Sequence, residues 1–131
     1  MWSNILAVAA GGLAGTLLRY IAYTSIDPAD SVFPWATVFV NLVGSFLLAV
    51  LAAAIRHSII RSEVGQIGLS AGLLASFTTF SNFTLDILIL LENSTIIITA
   101  GYVALSILGG GIFAYIGWKG TEFIYRQSLI T

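Results

Sequence analysis

Apolar runs of membrane-spanning length alternate with short polar stretches along this chain. The hydrocarbon core of a bilayer is about 30 Å thick and takes about 20 helical residues. Four stretches reach that length: Asn4 to Tyr23, Phe33 to Ile55, Gln66 to Leu91 and Thr95 to Trp118. Asp27, Pro28, Asp30 and Pro34 lie between the first two, and such residues form turns and stop helices. Arg56, His57, Arg61 and Glu63 lie between the second and third, and the last connection is the short Glu92-Asn93-Ser94. The pattern predicts an all-α membrane protein, with residues 1–131 forming a single domain of four transmembrane helices. Met1 leads directly into apolar sequence with no basic segment, so the first stretch reads as a retained span and not a signal peptide.

One polar row interrupts the third stretch. Phe77-Thr78-Thr79-Phe80-Ser81-Asn82-Phe83 interleaves hydroxyls and an amide with phenylalanines. At membrane depth such a stretch is tolerated only where it is buried in protein or lines a polar path. It predicts a third helix broken in two, with an ion site at the break.

Composition agrees with a membrane chain. It is 58% hydrophobic and 8% charged, against about 25% charged in soluble domains. A net charge of −1 gives no reason to expect nucleic acid, and the absence of cysteine removes disulfides and thiol chemistry. There is a single histidine, His57, which reads as solvated beside Arg56. No Ser-His-Asp set or phosphate loop is present, so an enzyme is not expected. Arg56, Arg61, Lys119 and Arg126 fall on the side that four spans assign to both termini. The other side has at most Arg19, near the end of the first span. That bias predicts both termini in the cytoplasm of a protein of the cell membrane.

Small and polar residues inside the spans are the candidates for packing and chemistry. Gly11 and Gly15, like Gly68 and Gly72, are spaced for close helix contact, either between subunits or within the chain. Arg19 suits either a stem reaching the interface or a guanidinium capping carbonyls at a helix break. Asn41 shares a helix face with Thr37 and Gly44, and a membrane asparagine commonly bonds a neighbouring helix. Phe80 and Phe83 share a face if the segment after the break is helical. They either pack or present the positive ring edges that attract a dehydrated anion. Asp86 is the one acid well inside a span, fit for a proton carrier, a cation ligand or a hydrogen-bonded structural group, or close enough to Leu91 to reach water. Tyr102, Ser106 and Gly110 recur at i, i+4 spacing and make a polar stripe on the fourth span.

The motifs in order resemble the Fluc/CrcB family of small fluoride channels. The resemblance rests on Gly12-Leu13-Ala14-Gly15-Thr16-Leu17-Leu18-Arg19-Tyr20 and on Thr37-Val38-Phe39-Val40-Asn41-Leu42-Val43-Gly44-Ser45-Phe46. Thr78-Thr79-Phe80-Ser81-Asn82-Phe83 and Gly101-Tyr102 with Ser106 complete it. It implies an antiparallel, dual-topology dimer with separate fluoride pores. In such a dimer Asn41 donates to the anion and Phe80 and Phe83 present ring edges. Thr37, Ser81, Tyr102 and Ser106 contribute to, or lie near, a polar path. A structural Na⁺ is held by backbone carbonyls of Ala75 and Thr78 from both subunits, since a hard cation takes oxygen ligands.

The chain departs from the family pattern at several places. Ala75-Ser76 stands where the family usually has Gly-Gly, Asn82 replaces a threonine, and Gly110 stands where some members carry serine. The one-sided basic residues fit a fixed orientation, so the implied partner is either a second copy or an oppositely oriented paralogue. Two other functions compete with the channel. One is a proton-coupled four-helix transporter relying on Asp86, and the other is a membrane subunit that transports nothing.

Overall fold

The computed structural model describes residues 1–27 and 31–128. Pro28 and Asp30, expected as turn residues, lie outside the described residues. Among those described there is no strand. The helices are α1 (Trp2–Ile26), α2 (Trp35–Arg56), α3 (Glu63–Ile67), α4 (Ala75–Phe77), α5 (Phe80–Asn93) and α6 (Ile96–Ser128). A wide π-helical segment, Gly68–Leu74, joins α3 to α4. Taking Glu63–Asn93 as one interrupted unit, four helices are long and apolar enough to cross a membrane.

Local chemistry sets the helix ends. The Ser62 hydroxyl accepts the Gly65 N–H and starts α3. Asp27 reaches across the first connection and accepts the Ala36 N–H at 3.1 Å, satisfying a free donor in the first turn of α2. In the π segment the Ser70 hydroxyl takes the Gln66 carbonyl at 2.6 Å. It competes there with the regular helical ladder, and turns of this width often mark functional positions.

The glycine pairs resolve as packing within the chain. A side chain on Gly11 would collide with the Gly68 carbonyl, and one on Gly15 with the Leu73 carbonyl. Gly72 returns the contact, with space for a Cβ only 2.9 Å from the Val8 carbonyl. α1 and the π segment therefore meet backbone to backbone, the contact small residues permit inside a membrane.

α6 runs past the expected end of its span at Trp118 and continues to Ser128. At 1.5 Å per residue its 33 residues extend about 50 Å, well beyond the hydrocarbon core. The extension is held against the end of α2. The Arg56 guanidinium lies 5.5 Å from the centre of the Trp118 ring, and His57 stacks on Tyr125 with centroids 4.2 Å apart. His57 is thus half-buried against an aromatic face and not freely solvated. Lys119 and Arg126 flank Glu122 at 3.2 Å each. The Lys119 ammonium, followed by the Arg126 guanidinium, holds that carboxyl below its usual range.

Candidate functional site

The third unit breaks at Thr78 and Thr79, both in extended conformation. Thr78 closes the first half: its N–H and its hydroxyl both donate to the Leu74 carbonyl at 3.0 Å. Thr79 opens the second half, its hydroxyl accepting the Asn82 N–H at 3.2 Å. Two β-branched residues suit the extended geometry, and each hydroxyl satisfies one of the backbone groups a helix end leaves free.

Asn41, from the middle of α2, holds the break. Its Oδ1 accepts the Thr79 N–H at 2.9 Å and its Nδ2 donates to the Thr79 carbonyl at 3.0 Å. The side-chain amide serves Thr79 as a strand neighbour would. The Thr79 N–H taken here is the one that would bond the Ala75 carbonyl in an unbroken helix. Asn41 retains a second amide hydrogen, since an NH₂ group carries two. The interhelical role weighed for this residue is therefore present, with one donor left over.

Arg19 lies at the same place. Its Nη1 donates to the Thr78 carbonyl at 3.4 Å, a long bond consistent with a guanidinium capping the break. Gly44 makes room for Thr78, whose methyl group occupies the space a Gly44 side chain would need.

A cavity of about 510 Å³ opens beside the break. Asn41, Ser45, Ser70, Thr78, Phe80 and Phe83 line it, together with Ala75 and Thr79. Two helix ends face this region with opposite polarity. α4 presents the carbonyls of its C-terminus, and α5 presents the free N–H groups of its N-terminus. The first suits a cation and the second an anion.

The remaining expected residues extend away from the break. Phe80 and Phe83 have ring centroids 5.9 Å apart, and Phe83 continues to Tyr102 at 5.4 Å. Phe33 meets Tyr102 edge-on at 5.7 Å. Phe80 is 76% exposed, so most of its ring is left uncovered by the chain, whereas Tyr102 is fully buried. Ser81 is exposed and lies 3.2 Å from the Thr79 hydroxyl. The Ser106 hydroxyl is buried and has no hydrogen-bond partner among the described residues. Ser45 stands beside Gly110, its hydroxyl 3.5 Å from where a side chain would start.

Thr37 and Asp86 occupy a second polar group. Thr37 is fully buried, and its hydroxyl is 2.7 Å from that of Tyr23. Asp86 accepts the Tyr102 hydroxyl at 3.0 Å. It also borders a smaller cavity, about 160 Å³, with Asp27 and Ser31. Asp86 therefore has a structural hydrogen bond, one of the roles open to it from sequence.

Tyr23, Ser45 and Thr79 belong to this region, although sequence reasoning did not single them out. Tyr23 lies four residues after Arg19, so helical spacing puts it on the face that meets the break. Thr79 was visible in the polar row, but its clamp by Asn41 depends on a contact 38 residues away.

The oxygen donors at the break fit a hard cation. The Ala75 carbonyl has lost its helical partner, and the Thr78 carbonyl accepts one long bond while keeping a second lone pair. Ala75 in place of glycine would not hinder this, since backbone oxygens would be the ligands.

A helical membrane protein whose third unit breaks beside a cavity edged by hydroxyls, an amide and phenylalanines is the class this arrangement defines. The family model described as "CrcB-like protein, Camphor Resistance (CrcB)" matches residues 6–118. A protein of Rhizobium meliloti named "Fluoride-specific ion channel FluC" is 40% identical over 106 residues, covering 80% of this chain and 85% of that protein. One of the same name from Pseudomonas fluorescens is 42% identical over 122 residues, covering 90% and 96%. Another from Rhodospirillum centenum is 42% identical over 113 residues, covering 84% and 90%. The chain belongs to the CrcB family. It is a multi-pass integral membrane protein of the cell membrane.

Proposed function

We propose that this chain forms a passive, fluoride-selective channel that releases fluoride from the cytoplasm and so relieves its toxicity. The observation that carries the proposal is the set of donors left uncommitted after the break has satisfied its own backbone. They are the second Asn41 amide hydrogen, the buried Ser106 hydroxyl and the free N–H end of α5, beside the ring edges of Phe80 and Phe83. Fluoride is small and strongly hydrated. A pore must replace its water with short donors and positive edges without trapping it. Fixed arginines in a row would bind too tightly, and Arg19 is the one guanidinium at the break. Membership of a family whose relatives are named fluoride-specific channels supports the same reading. HF crosses membranes and ionises inside, and a negative interior then drives the anion out through any passive path.

The working unit in this proposal is an antiparallel dimer with two pores. The 76% exposed Phe80 ring and the open cavity support a partner on that face. The partner is a second copy or an oppositely oriented paralogue. The Ala75 and Thr78 carbonyls would hold a structural Na⁺ between the subunits. Bound there, the ion supplies a fixed positive charge.

Efflux from proteoliposomes tests the function. The channel predicts rapid, electrogenic fluoride efflux without a pH gradient, and much slower chloride efflux. Flux that follows the pH gradient would favour a transporter relying on Asp86, and no flux would favour a non-transporting subunit. Equal fluoride and chloride rates would reject selectivity.

A further inference from the structure

Ser45, Ser70, Thr78 and Thr79 bring hydroxyls to the cavity of about 510 Å³ beside the break. Three of them are engaged. Ser70 donates to the Gln66 carbonyl at 2.6 Å and Thr78 to the Leu74 carbonyl at 3.0 Å. Thr79 accepts the Asn82 N–H and lies 3.2 Å from the Ser81 hydroxyl. Ser45 enters none of these bonds, and its hydroxyl has no hydrogen-bond partner among the described residues. A serine within a helix commonly turns its hydroxyl back to the carbonyl one turn earlier, as Ser70 does. Ser45 instead keeps its proton free at the edge of a cavity.

Two helices fix where that proton is. On α2, Ser45 follows Asn41 by four residues, so the two share a face and stand about 6 Å apart along the axis. Asn41 has one amide hydrogen left over. On α6, the polar stripe of Tyr102 and Ser106 reaches Gly110, where it has no side chain. Ser45 Oγ lies 3.5 Å from where a Gly110 side chain would start. Leu42 meets Gly109 and Phe46 meets Gly117, so α2 and α6 run side by side in the same direction. Ser45 is therefore one turn beyond Asn41 and, across the contact, one turn beyond Ser106, toward the end of α2 that carries Arg56. Resting on the channel reading above, we propose that Ser45 is a further donor of the anion pathway. It supplies from α2 the hydroxyl that the stripe on α6 lacks at Gly110. An anion arriving from the Arg56 end meets Ser45 before it meets the free Asn41 hydrogen and the Ser106 hydroxyl. A neutral hydroxyl replaces one water of hydration there without the hold of a full charge.

Fluoride efflux from liposomes containing the full-length protein tests the proposal by moving the hydroxyl from one helix to the other. Ser45→Ala should slow efflux about two- to tenfold, the range one hydrogen bond spans. Adding Gly110→Ser to Ser45→Ala returns a hydroxyl across the same contact and should restore most of the lost rate. Adding Gly110→Ala instead fills the space without a donor and should restore none of it. A merely structural Ser45 would leave the two double variants equally slow. Efflux of Ser45→Ala at the unaltered rate, or equal efflux in the two double variants, would overturn the proposal. Should a side chain at position 110 prevent folding, Ser45→Thr and Ser45→Val read the same donor, since the two have the same shape and the first alone carries a hydroxyl. The Ser45→Thr protein should then be faster by about the same two- to tenfold, and equal rates would overturn the proposal. Absence of fluoride efflux from the unaltered protein would instead reject the channel reading itself.

Discussion

Replacing Asn41 with aspartate changes the break and the proposed pathway by one atom each. The side chain keeps its shape and an oxygen that accepts the Thr79 N–H. It loses the amide that now donates to the Thr79 carbonyl at 3.0 Å. Thr79 is buried, and its carbonyl, which as the cap group of α5 still accepts the first helical bond, is left facing another oxygen. The expected cost is about 0.5–1.5 kcal/mol of stability, the net worth of the one hydrogen bond lost. The effect on the anion is separate. A unit negative charge about 4 Å from fluoride raises its energy by about 1 kcal/mol in water-like surroundings and about 4 kcal/mol in a partly polar interior. Those values slow transit by between about fivefold and about a thousandfold. Efflux from liposomes, followed with a fluoride electrode under a clamped potential, measures the second effect, and the melting temperature in detergent measures the first. Both should fall. Lowered melting with efflux at the unaltered rate would mean that Asn41 serves only the backbone at the break. It would refute its place in the anion path.

Two further outcomes follow from the same geometry. Phe80→Ile and Phe83→Ile keep apolar bulk but remove the ring edge, and each should slow fluoride efflux about three- to tenfold. Unchanged efflux in both would return these rings to packing. Replacing Na⁺ on both sides with a large organic cation should lower efflux, while a Na⁺ gradient should add no drive. Full activity without Na⁺ would refute a structural ion at the Ala75 and Thr78 carbonyls.

The spans were legible because hydropathy over some 20 residues leaves few alternatives to crossing a bilayer. The break was legible for the complementary reason, since adjacent threonines among phenylalanines have no economical place in a continuous lipid-facing helix. The π segment was not. Gly68–Leu74 reads as ordinary helix, and its widening accompanies the Ser70 hydroxyl on the Gln66 carbonyl and a backbone contact with α1. Nor could spacing alone assign Gly11, Gly15, Gly68 and Gly72. The same pattern serves contacts between subunits and within one, and only the opposing carbonyls distinguish them. The length of α6 was missed because its last turns carry Lys119, Glu122 and Arg126, which end a hydropathy window without ending a helix.

The polar row of the third unit has a simpler first explanation than ion binding. Thr78 caps one half-helix, Thr79 caps the other, Ser81 pairs with Thr79, and Asn82 holds Tyr23. Each of these contacts settles a group exposed by breaking a helix where water is scarce. Polarity in the sequence therefore marks the break more directly than it marks the route of an anion. The route follows from what the break leaves over. One Asn41 hydrogen and the Ser106 hydroxyl have no structural obligation among the described residues, and the Phe80 ring is largely uncovered. Donors already engaged would have to be released before they could replace water around fluoride, whereas uncommitted ones are ready at no such cost. A pathway of leftover donors also limits its own affinity, because none of them carries a full charge and none is assembled into a tight ring. That combination favours entry and exit alike, which conduction requires.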